Sequence, residues 1–448
     1  MQDGAWLSLV ERCVRDAEVA GSNPVAPIRK KLMEYGLFFI YRPAYGNLLL
    51  TQHAGRTLFL RNHSKIFKNS ICLLFLFFLY SFFEDFYWPS ALYITNTHNK
   101  NGGKRLKIMK YITFTVPCYN SAPYMRRCID SLLPFKDYVE IIIVNDGSTD
   151  ATPEIADEYA RRFPDAVQVI HKANGGHGSG VNAGLARASC KYFKVVDSDD
   201  WLDRSSLQKV LFRMMHWEKQ GKEADMIVCN YVYDHLHESR KKSMSYKNVF
   251  KEGRMLTWND IGMFSPSQYL VMHSLIFRTE ILKKSGVTLP EHTFYVDNIF
   301  AYRPLPYVEN IYYINTDLYH YFIGREDQSV NEEILKQRID QQIFVTKIVA
   351  DCVDLEEVKE TYPKLARYMT RNVSIMMAIS SIHLLLIGSE DAWKKRAELW
   401  NYIKAHHKSL YHRLRYTTLS SFTNLPGKTG RFVTVAGYRA ARRIYQFN

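Results

Sequence analysis

The sequence predicts an α/β protein with a mostly parallel central sheet and a helical region at its carboxyl end. Three observations carry this. From Tyr111 onward, β-rich runs alternate with helical patterns at βαβ spacing, which builds a parallel sheet with helices on both faces. The run Val139–Val144 (VEIIIV) is rich in β-branched residues without a break, as expected of a strand buried on both faces. The loops rich in Asp, Asn and Gly fall at carboxyl ends of strands, where such sheets bind ligands.

The chain has 448 residues, room for two or three domains. With 47% hydrophobic and 23% charged residues it is globular rather than disordered. Cys13, Cys72, Cys118, Cys128, Cys190, Cys229 and Cys352 form no CxxC pair. They read as reduced, mostly buried thiols of a cytosolic protein, not as a disulfide framework or zinc site. The net charge of +14 is uneven: +7 over residues 1–108, +10 over 391–448, and −3 between. Readers of nucleic acid concentrate basic charge in the folded domain. Charge at the two ends fits an anionic membrane surface instead.

Residues 1–108 read unlike the rest. Ala5–Ile28 resembles the peptide produced when a bacterial transfer-RNA gene is translated, and no sustained periodicity follows. Ile71–Phe83 is strongly apolar but 13 residues long, short of the ~20 that span a bilayer. The expectation is a spurious or poorly ordered extension, with the compact chain starting at Met109. A membrane-lying anchor and an extra domain are the alternatives.

From there the elements follow in order. Tyr111–Val116 alternates as a strand does. The loop Pro117–Ser121 leads to a helix from about Tyr124 to Leu133. Val139–Val144 ends in Asn145-Asp146-Gly147-Ser148-Thr149-Asp150. Thr152 is placed to cap a helix with Pro153 at its first position. After the strand Val167–His171, the loop 174–180 carries four glycines in seven residues and precedes a helix over Val181–Ala188. The strand Tyr192–Val196 delivers Asp197-Ser198-Asp199-Asp200. Leu207–Gln220 reads as an amphipathic helix and Asp225–Val232 as a further strand.

Three carboxylates within four positions repel each other unless a cation sits among them. Asp197 and Asp199, two apart, point to one side of an extended segment. A Mg²⁺ or Mn²⁺ held by one or two carboxylates completes its shell with substrate phosphates. Taken alone, the stretch fits an acidic turn that caps the next helix equally well. Asp146 can accept from a base N–H or a ribose hydroxyl, or form an Asx turn. The glycines of 174–180 let backbone N–H groups approach a phosphate, or simply make a flexible loop. His177 is placed to donate to a phosphate, but reads first as an exposed loop histidine.

In combination these stretches are more specific. Val116-Pro117-Cys118-Tyr119-Asn120, then Val144 to Asp150, Asn174-Gly175-Gly176 and Val196 to Asp200, resemble the nucleotide-sugar domain of family 2 glycosyltransferases. These are inverting enzymes of the GT-A fold. The resemblance is strong over 109–205 and looser over 206–330. It implies a GT-A-type nucleotide-diphospho-sugar transferase fold: 109–205 the nucleotide-sugar half, 206–330 the acceptor half, and 331–448 a helical, basic C-terminal region. It implies Pro117, Tyr119, Asn120, Asp146, Gly175, Gly176, Asn182 and Asp197 at the nucleotide, with Asp146 facing the base. It makes Asp197 and Asp199 the DxD pair holding Mn²⁺ or Mg²⁺. Val181 stands where many members carry Arg before the Asn.

An inverting transfer needs a base for the acceptor hydroxyl. The family places it in a Glu-Asp pair, which here reads Val296-Asp297, so Asp297 is the candidate and Glu291 the lesser one. Tyr319–Ser329 resembles the family's tyrosine-rich loop. Its Arg325 is available to the diphosphate, or to Glu326 or Asp327 as a surface pair.

Residues 331–448 read as helical. Val373–Ile387 is apolar over 15 residues and includes Ser374, Ser380, Ser381 and His383, which suits a buried helix. Trp393–Arg415 and Phe432–Phe447 interleave aromatics with Lys and Arg, the pattern of helices that lie on anionic bilayers. Together these readings describe a metal-dependent enzyme on the inner face of the cytoplasmic membrane. It moves a sugar, from UDP in this reading, to a polysaccharide or lipid-linked acceptor in cell-surface glycan synthesis. The alternatives are a nucleotidyltransferase acting on a sugar phosphate and a non-catalytic membrane-docking protein with a degenerate nucleotide fold.

Overall fold

Apolar continuity decides what lies at the centre of the sheet. Strands β4 (Ile112–Cys118) and β5 (Val139–Asp146) are buried at every position. They pair in parallel, with β7 (Tyr192–Val195) beside β4 and β6 (Val167–Lys172) beside β5. The computed structural model describes residues 37–42, 47–52, 57–60, 109–235, 241–323 and 332–445. The chain divides into two compact units, Met1–Gly102 and Gly103–Asn448. In the first, β1 (Leu37–Arg42), β2 (Asn47–Gln52) and β3 (Thr57–Leu60) form an antiparallel sheet in that order.

In the second unit the sheet continues past β7 through β12 (Leu275–Arg278), β9 (Met226–His235), β13 (Ile311–Ile323) and β11 (Met255–Leu256), with β10 (Lys242–Met244) antiparallel on the end of β9. Strand β12 runs antiparallel to both β7 and β9, while β9 and β13 are parallel. Six strands therefore share one direction with β12 reversed between them, a mixed sheet. Strand β8 (Trp201–Leu202), just after the acidic stretch, pairs with the far end of β13. That pairing curls the sheet and turns the acidic stretch towards β13.

Helices α1 (Met125–Leu132), α2 (Thr152–Arg162), α3 (His177–Arg187) and α4 (Arg204–Gln220) follow β4, β5, β6 and β8. Two local expectations are corrected. Thr152 is the first residue of α2 rather than its cap; Asp150 Oδ1 accepts from its N–H at 3.0 Å. The glycine-rich run is not all loop, because α3 begins at His177. Gly176 (φ +85°) makes the turn, and Gly178 and Gly180 sit inside the helix. Their missing side chains are a packing requirement: a Cβ would lie 2.8 Å from Leu289 Cβ at Gly178 and 3.0 Å from Pro117 Cβ at Gly180.

Helices α5 (Thr279–Ser285) and α6 (Asp297–Tyr302) frame the loop before Asp297. The carboxyl-terminal region is helical as expected: α7 (Glu332–Gln337), α8 (Ile339–Asp351), α9 (Leu355–Thr361), α10 (Pro363–Ile387), α11 (Glu390–His406), α12 (Lys408–Tyr416) and α13 (Gly427–Tyr445). By length and composition α10 could cross a bilayer, but 56% of its apolar window is buried inside the protein. Its serines and histidine are buried too: Ser374 Oγ donates to Ser420 Oγ at 3.1 Å, and Trp400 Nε1 donates to Ser381 Oγ at 3.1 Å. It is a core helix.

Helix α3 lies so close to β4 that a Cβ at Gly184 would come 2.2 Å from Thr115 Cγ2. Thr115 is fully buried and cannot swing away. Gly184→Ala should lower the unfolding free energy by about 1–3 kcal/mol, read as a lower urea midpoint at unchanged slope.

Candidate nucleotide and metal site

The first two carboxyl-end loops are laced together. Asn120 adopts φ +48°. Its Oδ1 accepts from Thr149 N at 2.9 Å, and its own N–H donates to Ser148 Oγ at 3.0 Å. Ser121 N donates to Thr152 Oγ1 at 2.8 Å, and Ala122 N to Asp150 Oδ2 at 3.1 Å. Pro117 is buried beneath, and Tyr119 stands on the rim with 55% of its surface exposed. An aromatic ring held on so rigid a loop offers a stacking face.

Asp146 closes β5 and is buried. Its Oδ1 accepts from Lys172 Nζ (2.7 Å) and Gly175 N (3.0 Å), and its Oδ2 from Gly176 N (2.7 Å). Both oxygens therefore grip the glycine turn. Gly147 has φ +70°, and a Cβ there would lie 2.7 Å from Asn174 N. Asn182 is spent on one partner: Nδ2 donates to Leu289 O (2.8 Å) and Oδ1 accepts from Leu289 N (3.0 Å). In this structure both Asn182 and Asp146 hold backbone rather than facing open solvent.

The acidic stretch separates its carboxylates by burial. Asp197 and Asp199 are half-buried, whereas Asp200 is fully buried. Asp200 Oδ2 accepts from Tyr319 Oη at 2.5 Å and Oδ1 from Phe322 N at 2.8 Å. Burial, then Asp199 and Asp197, push its pKa well above the ordinary aspartate value. Asp197 goes the other way. Burial opposes its charge, but His177 and His273 more than offset this and hold its carboxyl below the usual range. His177 Nε2 lies 2.8 Å from Oδ1, and His273 Nε2 3.3 Å from Oδ2. His177 is exposed, as the sequence suggests, but its ring is engaged. The surrounding protein displaces water from the ring and disfavours its imidazolium, and Asp197 raises its pKa all the same.

Among the described residues, one carboxylate oxygen each of Asp197 and Asp200 and a nitrogen of His273 come within 4.8 Å of one another. Asp199 presents its backbone to Arg127, whose Nη2 donates to Asp199 O at 3.0 Å. The same guanidinium stacks 3.8 Å over Trp201, which lies on His320.

Asp297 opens α6 as its first residue, with Val296 at the cap position, so it is not the helix cap. Burial first raises its pKa; His273 and His177 pull down, and Asp197 pushes up. Those four groups share one electrostatic neighbourhood. Glu291 is exposed and accepts from Ser179 Oγ at 3.1 Å. Arg325 lies outside the described residues.

Sequence reasoning assigned no role to His273, Tyr319 as an anchor, Arg127 or Lys194. The first three become visible only once the sheet order brings β12, β13 and α1 to the acidic stretch. Lys194 did carry a signal, a lone charge inside the apolar strand Tyr192–Val195. It is fully buried; its Nζ donates to His273 O (2.6 Å) and Leu275 O (3.2 Å) and sits 4.9 Å from the Tyr319 ring centre. It thereby supports from below His273, which faces the Asp197 carboxylate, and Tyr319, whose Oη accepts from Asp197 N.

A curled α/β sheet with these loops at its carboxyl ends is the fold of GT-A-type nucleotide-diphospho-sugar transferases. Residues 113–278 match the family model for Glycosyl transferase family 2, and this segment is a family 2 glycosyltransferase domain. The chain is 29% identical to EpsH of Bacillus subtilis (strain 168), itself only provisionally assigned as a glycosyltransferase, over 47% of this chain and 60% of EpsH. It is 35% identical to the glycosyltransferase GlyG of Streptococcus pneumoniae, over 28% of this chain and 40% of GlyG. It is 34% identical to the minor teichoic acid biosynthesis protein GgaA of B. subtilis, over 21% of this chain and 23% of GgaA. The chain thus spans less than two thirds of each of these relatives. S. aureus TarS 1–349, solved with UDP-GlcNAc, superposes with a TM-score of 0.51 at 18% identity, over 75% of this chain and 92% of TarS. That likeness establishes the shared fold.

Burial pushes the Lys194 ammonium down to about 7. Between that value and the unfolded lysine value of about 10.4, the unfolded chain holds a proton that the native chain releases, so stability rises with pH. Urea unfolding at about pH 7 and about pH 9 should show that rise. Lys194→Met should abolish it and cost about 1–3 kcal/mol, because two buried carbonyls lose their donor.

Proposed function

We propose that this chain is an inverting, metal-dependent glycosyltransferase acting in cell-surface glycan synthesis. It moves a sugar from a nucleotide diphosphate to a polysaccharide or lipid-linked acceptor. The observation that carries the reading is the half-buried Asp297 carboxylate, with its raised pKa, in the same neighbourhood as Asp197, His177 and His273. One carboxylate is kept ionised by imidazoles while the other is pushed towards the range of a working base, a separation that suits acid–base chemistry. UDP is the first nucleotide to consider, because TarS, which shares the fold, was solved with UDP-GlcNAc. The surface-glycan acceptor class follows the teichoic acid role in the name of GgaA.

The residues present fit Mn²⁺ or Mg²⁺. Asp197 and Asp199 supply hard oxygens, and His273 already turns Nε2 to Asp197. Asp200 is a weaker candidate, since its oxygens serve Tyr319 and Phe322. When bound, such an ion offsets the charge that develops on the leaving diphosphate. Tyr119 offers its exposed ring to the base, and the loops around Asn120 and Gly176 shape the nucleotide cleft. Asp297 takes the acceptor hydroxyl proton as the acceptor oxygen bonds to the anomeric carbon and the carbon–diphosphate bond breaks. Released nucleoside diphosphate, not pyrophosphate, is the diagnostic product against nucleotidyl transfer. The described cysteines are free thiols, in keeping with work in the reducing cytoplasm at the inner face of the membrane.

Asp297→Asn should lower kcat by about 10²–10⁴-fold and leave nucleotide binding within about twofold. A base must be ionised, so kcat should fall on the acid side, with an inflection above the ordinary aspartate value of about 3.9. That limb should vanish in the variant; a variant of full activity would remove Asp297 from the mechanism. UDP with Mn²⁺ should raise the melting temperature of the full chain more than either alone. No shift with any nucleotide would favour a non-catalytic role.

A further inference from the structure

The outer surface of the C-terminal region has its polarity inverted. The 3₁₀ turn Leu419–Asn424 joins α12 to α13. Ser420 and Thr423 are buried in it, while Leu419 (57%) and Phe422 (66%) are exposed. The first turns of α13 repeat the arrangement: Thr434 is buried, and Phe432 (74%) and Val433 (50%) face outward. The buried hydroxyls are all satisfied. Ser420 Oγ donates to Leu414 O (2.8 Å), Thr423 Oγ1 to Ser420 O (2.7 Å), and Thr434 Oγ1 to Phe422 O (2.9 Å). This last bond fixes the turn against the helix. A turn that spends hydroxyls inside to hold large apolar side chains outside is built to present them.

The turn and α13 of this knob themselves carry charge of one sign. The last fifty residues, 399–448, contain nine Lys and Arg and no Asp or Glu. Lys428, Arg431 and Arg439 are exposed along α13, and Arg431 lies 4.4 Å over the Trp393 ring. A second copy of the chain would bring the same positive field to the contact. Residues 1–108, at net +7, would do so as well. Nucleic acid matches the charge but offers no place for Leu419, Phe422, Phe432 and Val433 together. An anionic bilayer matches both features: headgroups meet the cations while the apolar side chains enter the acyl boundary.

We propose that the turn 419–424 and the exposed face of α13 form a membrane-docking surface for anionic phospholipid, with Phe422 and Phe432 as its inserting side chains. The transferase reading supplies its purpose, bringing the site to a membrane-borne acceptor, but the geometry does not depend on that reading.

The test is flotation of the full chain with vesicles of phosphatidylglycerol and phosphatidylethanolamine, against vesicles of phosphatidylcholine alone. The wild type should float with the anionic vesicles and be released in part by salt. Phe422→Ser with Phe432→Ser should weaken flotation about tenfold or more. Lys428→Glu with Arg439→Glu should weaken it in the anionic vesicles only. All four side chains are exposed, so the melting temperature should stay within a degree or two (~) of wild type. Undiminished flotation of the Phe variant overturns the proposal. So does a concentration-dependent dimer that the Phe variant abolishes, which makes the knob a self-interface, or binding of duplex DNA without binding of vesicles. The UDP–Mn²⁺ melting shift, measured on the same preparations, separates the two readings. Docking without a nucleotide shift sinks the transferase and leaves the surface, and the reverse result sinks the surface alone.

Discussion

A carboxylate without solvent exposure must find donors or give up its charge, and Asp200 organises the site through that demand. Its donors are Tyr319 Oη and Phe322 N, both on β13. Strand β13 is separated from β7 by β9 and β12 in the sheet, so the only way to meet the demand is to curl. Strand β8 closes the curl by pairing with β13, Trp201 stacks on His320, and Arg127 covers the stack. Tyr319, kept protonated by burial and the nearby aspartates, also accepts from Asp197 N at 3.1 Å. One buried acid thus orients the backbone of the half-buried one.

What results is a division of labour among like charges. Three aspartates in four positions would repel if all were equally solvated. Asp200 is withdrawn into hydrogen bonds and Asp197 receives two imidazoles. Beneath them Lys194, held by the carbonyls of His273 and Leu275, adds a cation as the pH falls through about 7. The arrangement stays anionic where a cation could enter and is neutralised below.

The alternation of strands and helices was legible because burial on both faces of a parallel sheet writes long apolar runs, as in β5. The positions of Asp146, Asp197 and Asp199 at strand ends were legible for the same reason: the apolar run breaks off where the strand ends. The glycine run was harder. Glycine at 178 and 180 signalled a loop by composition, yet both are helical, because what excludes a side chain there is Leu289 and Pro117 rather than a turn. Such contacts join residues more than a hundred positions apart along the chain in the case of Leu289, and no local pattern records them. His273 was hidden likewise, since only the antiparallel insertion of β12 carries it beside Asp197. The polar and aromatic segment 233–265 offered no readable motif, yet Tyr246, Phe250 and Trp258 within it are among the most deeply buried side chains.

Asn182 clasps the backbone of Leu289, and Gly175 O accepts from His292 N at 2.6 Å. These bonds stitch the glycine helix to the loop that leads into Asp297. Because of the stitch, the two halves of the domain are not interchangeable cassettes. A chimera that replaces residues 206–330 must carry 286–297 together with 174–182, or the seam loses its matching partner. The exposed positions of 241–265, a segment that makes no hydrogen bond of this kind to the glycine helix among the described residues, are freer to change.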